Sequence, residues 1–154
     1  MPEMLTDESS LDAMAEEIFS LAVMSWRERI ASKQQGSPEL SESQFLALDA
    51  LARASGTMTV GEVQRSVGVL PAQMSRIIRS LETGFDKPLI TCALNPSDKR
   101  KIDVTLSAEG RQTYDDYRGV RLARSVEIFR RLSESDRADF IRVCRKIRES
   151  YAQS

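Results

Sequence analysis

Histidine is absent from the 154-residue sequence. That excludes Ser-His-Asp and Cys-His nucleophile systems and the imidazole sites favoured by zinc, nickel and iron. Cysteine is scarce. Cys92 and Cys144 stand far apart; two lone thiols cannot close a structural zinc site, and they read as small buried hydrophobes of a reducing, cytoplasmic compartment. There is no glycine-rich phosphate loop. Carboxylate-only chemistry stays open, but no spacing of acids points to it, so neither an enzyme nor a cofactor is expected. No apolar run approaches the roughly 20 residues of a membrane span. Glu3, Asp7 and Glu8 make the start acidic, unlike a signal peptide.

What is present is an ordinary globular composition, 41% hydrophobic and 29% charged, with a net charge of −1 that hides an uneven distribution. Residues 1–50 carry ten acids against three bases, whereas residues 51–103 and 104–154 are each +3. The acidic start and basic end attract each other, and the basic middle offers a place for an anionic partner.

Six helices and one hairpin are legible. The first helix, about Ser10 to Ser32, carries two apolar stripes, one through Leu11, Met14, Ile18 and Leu21 and one through Phe19, Val23, Trp26 and Ile30. A helix apolar on two faces needs two partners, and in so short a chain one of them can be another subunit. Gln34–Pro38 reads as a polar loop. Ser41 with Gln44 forms a capping box for a second helix, Leu40 and Phe45 occupy the staple positions, and Ser55-Gly56 ends it. Thr59 with Glu62 caps a short third helix that Gly68 terminates. Pro71 opens a fourth, with Met74, Ile77, Ile78 and Leu81 on one face and Gln73, Ser75, Arg76, Arg79 and Ser80 on the other. A strand from Leu89 to Leu94, a polar tip at 95–101 and an alternating strand through Ile102, Val104 and Leu106 make a hairpin. Ser107 starts a long helix toward Arg131, and Ser133 caps a last one bearing Phe140, Val143, Cys144, Ile147 and Tyr151.

A capped helix, a glycine turn, a helix with a polar arginine-bearing face and then a basic hairpin, all within about fifty residues, read as a winged helix-turn-helix. Any one of these parts alone is usually plain solvated surface; their order carries the signal. A helix fits the major groove, where its outward groups must be donors and acceptors. Gln73 is then a candidate reader of adenine, and Arg76 or Arg79 of guanine. Lys99, Arg100 and Lys101 on the wing suit a phosphate backbone or minor groove. Thr59, Arg65, Ser75 and Asp98 complete the candidate DNA-binding set. The expected architecture is mainly α with a small β-hairpin wing: a DNA-binding domain at 37–106 and helical dimerisation regions at 1–36 and 107–154.

From about residue 11 to 150 the sequence resembles the MarR family of bacterial regulators. The most specific match is the wing, Asp98-Lys99-Arg100-Lys101-Ile102-Asp103-Val104-Thr105-Leu106-Ser107; Glu109-Gly110, Ser75-Arg76 and Leu81-Glu82 also fit. The resemblance implies a homodimer, pseudo-palindromic sites and repression relieved by a small effector, with Arg100 in the minor groove and Asp98 orienting the wing. Four departures stand out. Leu70 lies where a polar cap is common, and the link Gly84–Leu89 is longer by about three residues. Thr91 and Cys92 replace frequent basic residues, and Lys101 replaces a frequent small one.

Each protomer offers Arg65, Arg76, Arg79, Arg100 and Lys101, so two protomers would neutralise about eight to ten phosphates. Leu11, Ile18, Phe19, Trp26, Phe140, Ile147 and Tyr151 are the candidate dimer contacts, with recognition helices about 34 Å apart. Trp26, Phe45 and Tyr114 are candidates for lining an effector pocket, although these residue types also serve as ordinary core. Thiol sensing through Cys92 or Cys144 is a second route to regulation. The alternative function is a winged-helix module that binds protein and not DNA.

Overall fold

The computed structural model describes residues 7–33 and 40–153. It divides into two compact units between residues 41 and 42. The first holds α1 (Asp7–Lys33), a single helix of 27 residues. It starts three residues before the predicted Ser10. The predicted loop at 34–38 lies outside the described residues.

The second unit runs α2 (Glu42–Arg53), β1 (Thr57–Thr59), α3 (Val60–Val67), α4 (Pro71–Thr83), β2 (Ile90–Leu94), β3 (Ile102–Leu106), α5 (Ala108–Phe129) and α6 (Glu134–Ala152). Its core is aliphatic. Leu48 and Leu51 from α2, Val63 from α3, Met74 and Leu81 from α4, Leu89 and Ile90 at the wing base, and Val104 from β3 are all fully buried. Each such side chain contributes about 1.5–3 kcal/mol by leaving water.

The expected hairpin forms, β2 against β3, and a short third strand that the sequence did not announce joins it, giving an antiparallel sheet ordered β1-β3-β2. β1 pairs Thr57 with Thr105 and Thr59 with Asp103. The two threonine hydroxyls, Thr57 and Thr105, meet at 3.2 Å. The strand thereby ties the start of α3 to the wing.

The predicted caps of α5 and α6 form as local chemistry dictates. Ser107 Oγ accepts from Gly110 N at 2.9 Å, and Ser133 Oγ accepts from Asp136 N at 3.1 Å. α5 stops at Phe129, two residues before the predicted Arg131. Among the described residues no helix is long and apolar enough to cross a membrane.

Candidate nucleic-acid interface

The helix-turn-helix is built from both ends inward. At its start the Thr59 amide donates to Glu62 Oε2 at 2.7 Å, and the Glu62 amide donates to Thr59 Oγ1 at 3.3 Å. Two of the orphan donors at the helix start are thus satisfied reciprocally. The backbone and side-chain bonds from Thr59 hold the Glu62 carboxyl below its usual pKa, with help from the charges of Arg65 and Lys101. The Thr59 hydroxyl also donates to Glu62 Oε2 at 3.0 Å, so it is committed to the cap. At the turn, Gly68 adopts φ 76°, the left-handed conformation that glycine takes without a Cβ penalty, and its N–H closes α3 on the Gln64 carbonyl.

α4 buries Met74, Ile77 and Leu81 against the core and leaves Gln73, Ser75, Arg76 and Arg79 exposed. Ile78 is half-buried beside them. Ser80, assigned to the outer face from sequence, turns inward instead. It is half-buried, donates to the Ile77 carbonyl at 2.7 Å and accepts from Gln44 Nε2 of α2 at 2.9 Å. Ser75 Oγ donates back to the Pro71 carbonyl at 3.2 Å, so its hydroxyl presents only acceptor capacity outward. The helix start is unusual. Leu70 holds the N-cap conformation without a side-chain acceptor, and its amide donates to Gln73 Oε1 at 3.2 Å.

The wing tip is organised by two residues. Asn95 Oδ1 accepts from the amides of Ser97 and Asp98, both at 2.9 Å, and Asn95 Nδ2 donates to Asp103 at 2.9 Å. Sequence reasoning left Asn95 as an anonymous turn residue; its signal was the Asn-Pro-Ser-Asp order, which suits an Asx turn. Asp98 then grips Arg100 three times: backbone amide and Nε to Oδ1, both at 3.1 Å, and Nη2 to Oδ2 at 3.2 Å. These bonds from Arg100, side chain first and backbone next, lower the Asp98 pKa. The guanidinium side chain itself remains 90% exposed. Lys99 and Lys101 are exposed beside it, as is Arg65 on α3. The result is a row of cations displayed by a hairpin tip whose shape is set by hydrogen bonds.

Where β2 meets α4, the Cys92 thiol lies beside the Glu82 carboxylate, which can accept from it. Burial first, and then the Glu82 bond and charge, push the Cys92 thiol up to about 11. A thiol so protonated is a poor nucleophile and a poor redox sensor. This weakens the thiol-sensing route at this position. The contact pairs the recognition helix with the wing, and nothing in the spacing of Glu82 and Cys92 announced it.

The aromatic candidates for an effector pocket divide between the units. In the second unit Phe45 and Tyr114 stack directly, with ring centroids 5.5 Å apart, and Tyr117 lies 4.9 Å from Phe45. Tyr114 Oη donates to Asp49 Oδ1 at 2.7 Å, while Arg53 Nε donates to Asp49 Oδ2 at 2.8 Å. Burial works to raise the Asp49 pKa. The bonds from Arg53 and Tyr114 and the charges of Arg53 and Arg118 outweigh it and hold the carboxyl below its ordinary value. Arg121 sits 4.6 Å over the Tyr117 ring. Trp26 belongs to the first unit, where it meets Phe19 edge-on at 6.4 Å.

Of the candidate dimer contacts, Leu11, Ile18, Phe19 and Trp26 on α1 are exposed, as are Phe140 and Tyr151 on α6. Ile147 is half-buried. Phe140 leans on Phe129 at 5.1 Å. It shares an apolar pocket of about 170 Å³ with Phe129, Leu132, Ile141 and the stem of Arg137. Among the described residues no group of three or more histidines, cysteines and acids is placed to hold a metal ion.

No protein-family model matches the chain, and no curated protein matches it. Solved structures do. The chain is similar to a MarR family protein from Bacillus stearothermophilus, with a TM-score of 0.78 and 16% identity over 96% of this chain and 99% of that one. It is similar to the YusO protein of Bacillus subtilis, with a TM-score of 0.70 and 19% identity over 94% and 98% of the two chains. It is also similar to BpsR of Bordetella bronchiseptica, whose DNA binding is regulated by 6-hydroxynicotinic acid, with a TM-score of 0.58 and 24% identity over 85% and 98%. At such identities the likeness is one of fold: this chain has the winged-helix fold of the MarR-type proteins.

Proposed function

We propose that this protein is a sequence-specific, duplex-DNA-binding transcriptional regulator that acts as a cytoplasmic homodimer. The observation that carries the reading is the joint display on one unit of an exposed Gln73-Ser75-Arg76-Arg79 face on α4 and an Asp98-held Arg100 at the tip of the wing. A helix face of donors and acceptors suits base edges, and a basic hairpin tip suits phosphates or a minor groove. Arg65, Lys99 and Lys101 add phosphate contacts, and Thr59 positions α3 through its cap.

Dimerisation is supported by the exposed apolar residues of the terminal helices, Leu11, Ile18, Phe19 and Trp26 on α1 and Phe140 and Tyr151 on α6. So much exposed apolar surface marks an interaction site. In this reading residues 1–36 and 107–154 join two copies, and 37–106 bind a pseudo-palindromic site with recognition helices about 34 Å apart. Repression relieved by a small effector is the regulatory mode that fits best, since BpsR shares the fold and responds to 6-hydroxynicotinic acid.

Selection of duplexes from a random pool, followed by anisotropy titration at several salt concentrations, tests this. A two-fold consensus with a log–log salt slope near −7 to −9 is expected for about eight to ten neutralised phosphates. Arg76→Ala should change the preferred bases, and Lys99→Ala should weaken all sequences alike. A monomer at micromolar concentration with no selected sequence would overturn the proposal, and capture of a protein partner in place of DNA would favour the interaction-module alternative.

A further inference from the structure

The leading end of α4 carries a residue that phosphate and guanine contacts leave unused. Leu70 is 70% exposed at the N-cap of the recognition helix, where Ser, Thr, Asp or Asn would supply a hydrogen bond that leucine cannot. The helix start is held in other ways. Pro71 occupies the first helical position and has no N–H to satisfy, and the Leu70 amide donates to Gln73 Oε1 at 3.2 Å.

That bond has a consequence for recognition. Bidentate reading of adenine by glutamine needs both the amide oxygen and the amide nitrogen. Here the oxygen is turned back to the Leu70 amide, which takes one of its two lone pairs, so the free Nε2 donors are the groups best placed to face outward. The adenine assignment made from sequence would need that same oxygen to face the base as well.

What remains at this end of the helix is an aliphatic side chain beside an amide donor. In helix-turn-helix proteins the residues at the start of the recognition helix are those that reach base edges. The one apolar group on the major-groove edges is the thymine C5-methyl, and it neighbours the thymine O4 acceptor. Guanine offers acceptors without a methyl; cytosine offers a donor, which Nε2 would oppose. Building on the DNA-binding reading above, we infer that Leu70 and Gln73 together recognise thymine, with Leu70 against the methyl and Gln73 Nε2 donating to O4.

The test removes the methyl alone. In the selected duplex each thymine is replaced in turn, symmetrically in both half-sites, by deoxyuridine, and affinity is measured for the wild type and for Leu70→Ala. At one thymine per half-site the wild type should lose about fourfold per half-site, the worth of one buried methyl-sized group. Leu70→Ala should lose the same amount on the thymine duplex and nothing further on the deoxyuridine duplex. Gln73→Glu keeps an oxygen to accept the Leu70 amide but loses the donor, so selection with it should move that position from thymine to cytosine. Equal deoxyuridine losses in both proteins, or no methyl-dependent position, would overturn the inference while leaving sequence-specific binding intact. A wild type that selects no duplex would instead overturn the DNA-binding reading, and this one with it.

Discussion

Gly110 sits in the first turn of α5, buried, where the helix passes directly over the wing base. A Cβ added there would collide with the Leu89 carbonyl oxygen and come within 2.9 Å of Leu106 Cδ1. The obstacle is backbone and cannot rotate aside. The same Leu89 carbonyl accepts the Ser107 amide at 3.1 Å, a bond that helps hold β2 to the start of α5. Gly110→Ala must therefore push the helix off the sheet. Overpacking of this kind costs about 1–3 kcal/mol, and a weakened hydrogen bond adds about 1 kcal/mol. The helix propensity of alanine returns about 1 kcal/mol. The net loss is about 2 kcal/mol, which lowers Tm by about 4–8 °C in a chain of this size. Gly119, in the same helix, is an internal control: a Cβ there meets nothing within 4 Å. Gly119→Ala should keep the propensity gain and raise Tm by about 2–4 °C. Thermal melts followed by circular dichroism at one fixed protein concentration make the comparison. If both substitutions move Tm in the same direction, or Gly110→Ala is silent, the close approach of α5 to Leu89 is wrong.

Three further outcomes follow from the hydrogen bonds and the shifted acids. Thr59→Ala should cost about 1 kcal/mol by stripping the cap from α3, read as a lower urea midpoint with unchanged m-value. Cys92, with its thiol pushed up to about 11, should react with a disulfide reagent at pH 8 on the order of a hundredfold more slowly than an ordinary thiol, and fast labelling of Cys92 in the folded protein would contradict the Glu82 contact. Asp49 has a lowered folded-state pKa, so its contribution to stability is complete above the ordinary aspartate value of about 3.9 and is lost as pH falls through the lower folded value. Asp49→Asn should thus be less stable than wild type near neutrality and lose less stability than wild type across that acid window, as measured by denaturant titrations at a series of pH values.

What the sequence made legible was local, and what it hid was not. The caps at Thr59, Ser107 and Ser133, the left-handed Gly68 and the opening Pro71 are contacts between residues three or four apart, or properties of one residue's backbone. The period-2 pattern of β3 is local too. β1 escaped because three residues have no pattern of their own; Thr57–Thr59 become a strand only by pairing with Asp103–Thr105. The bond from Tyr114 to Asp49 spans 65 residues, and that from Gln44 to Ser80 spans 36, so neither leaves a mark in any helical period. Ser80 shows the difference most sharply. Its position on the helix wheel permits the outer face, and the donor that turns it inward belongs to α2. Leu70 is the converse case. It breaks the local rule for a helix cap, and no core neighbour explains it, since its side chain is left mostly in water. Since the caps of α3, α5 and α6 obey that rule, an aliphatic residue held out at the front of the helix proposed to meet base edges is more economically read as a contact surface than as a flaw in the helix.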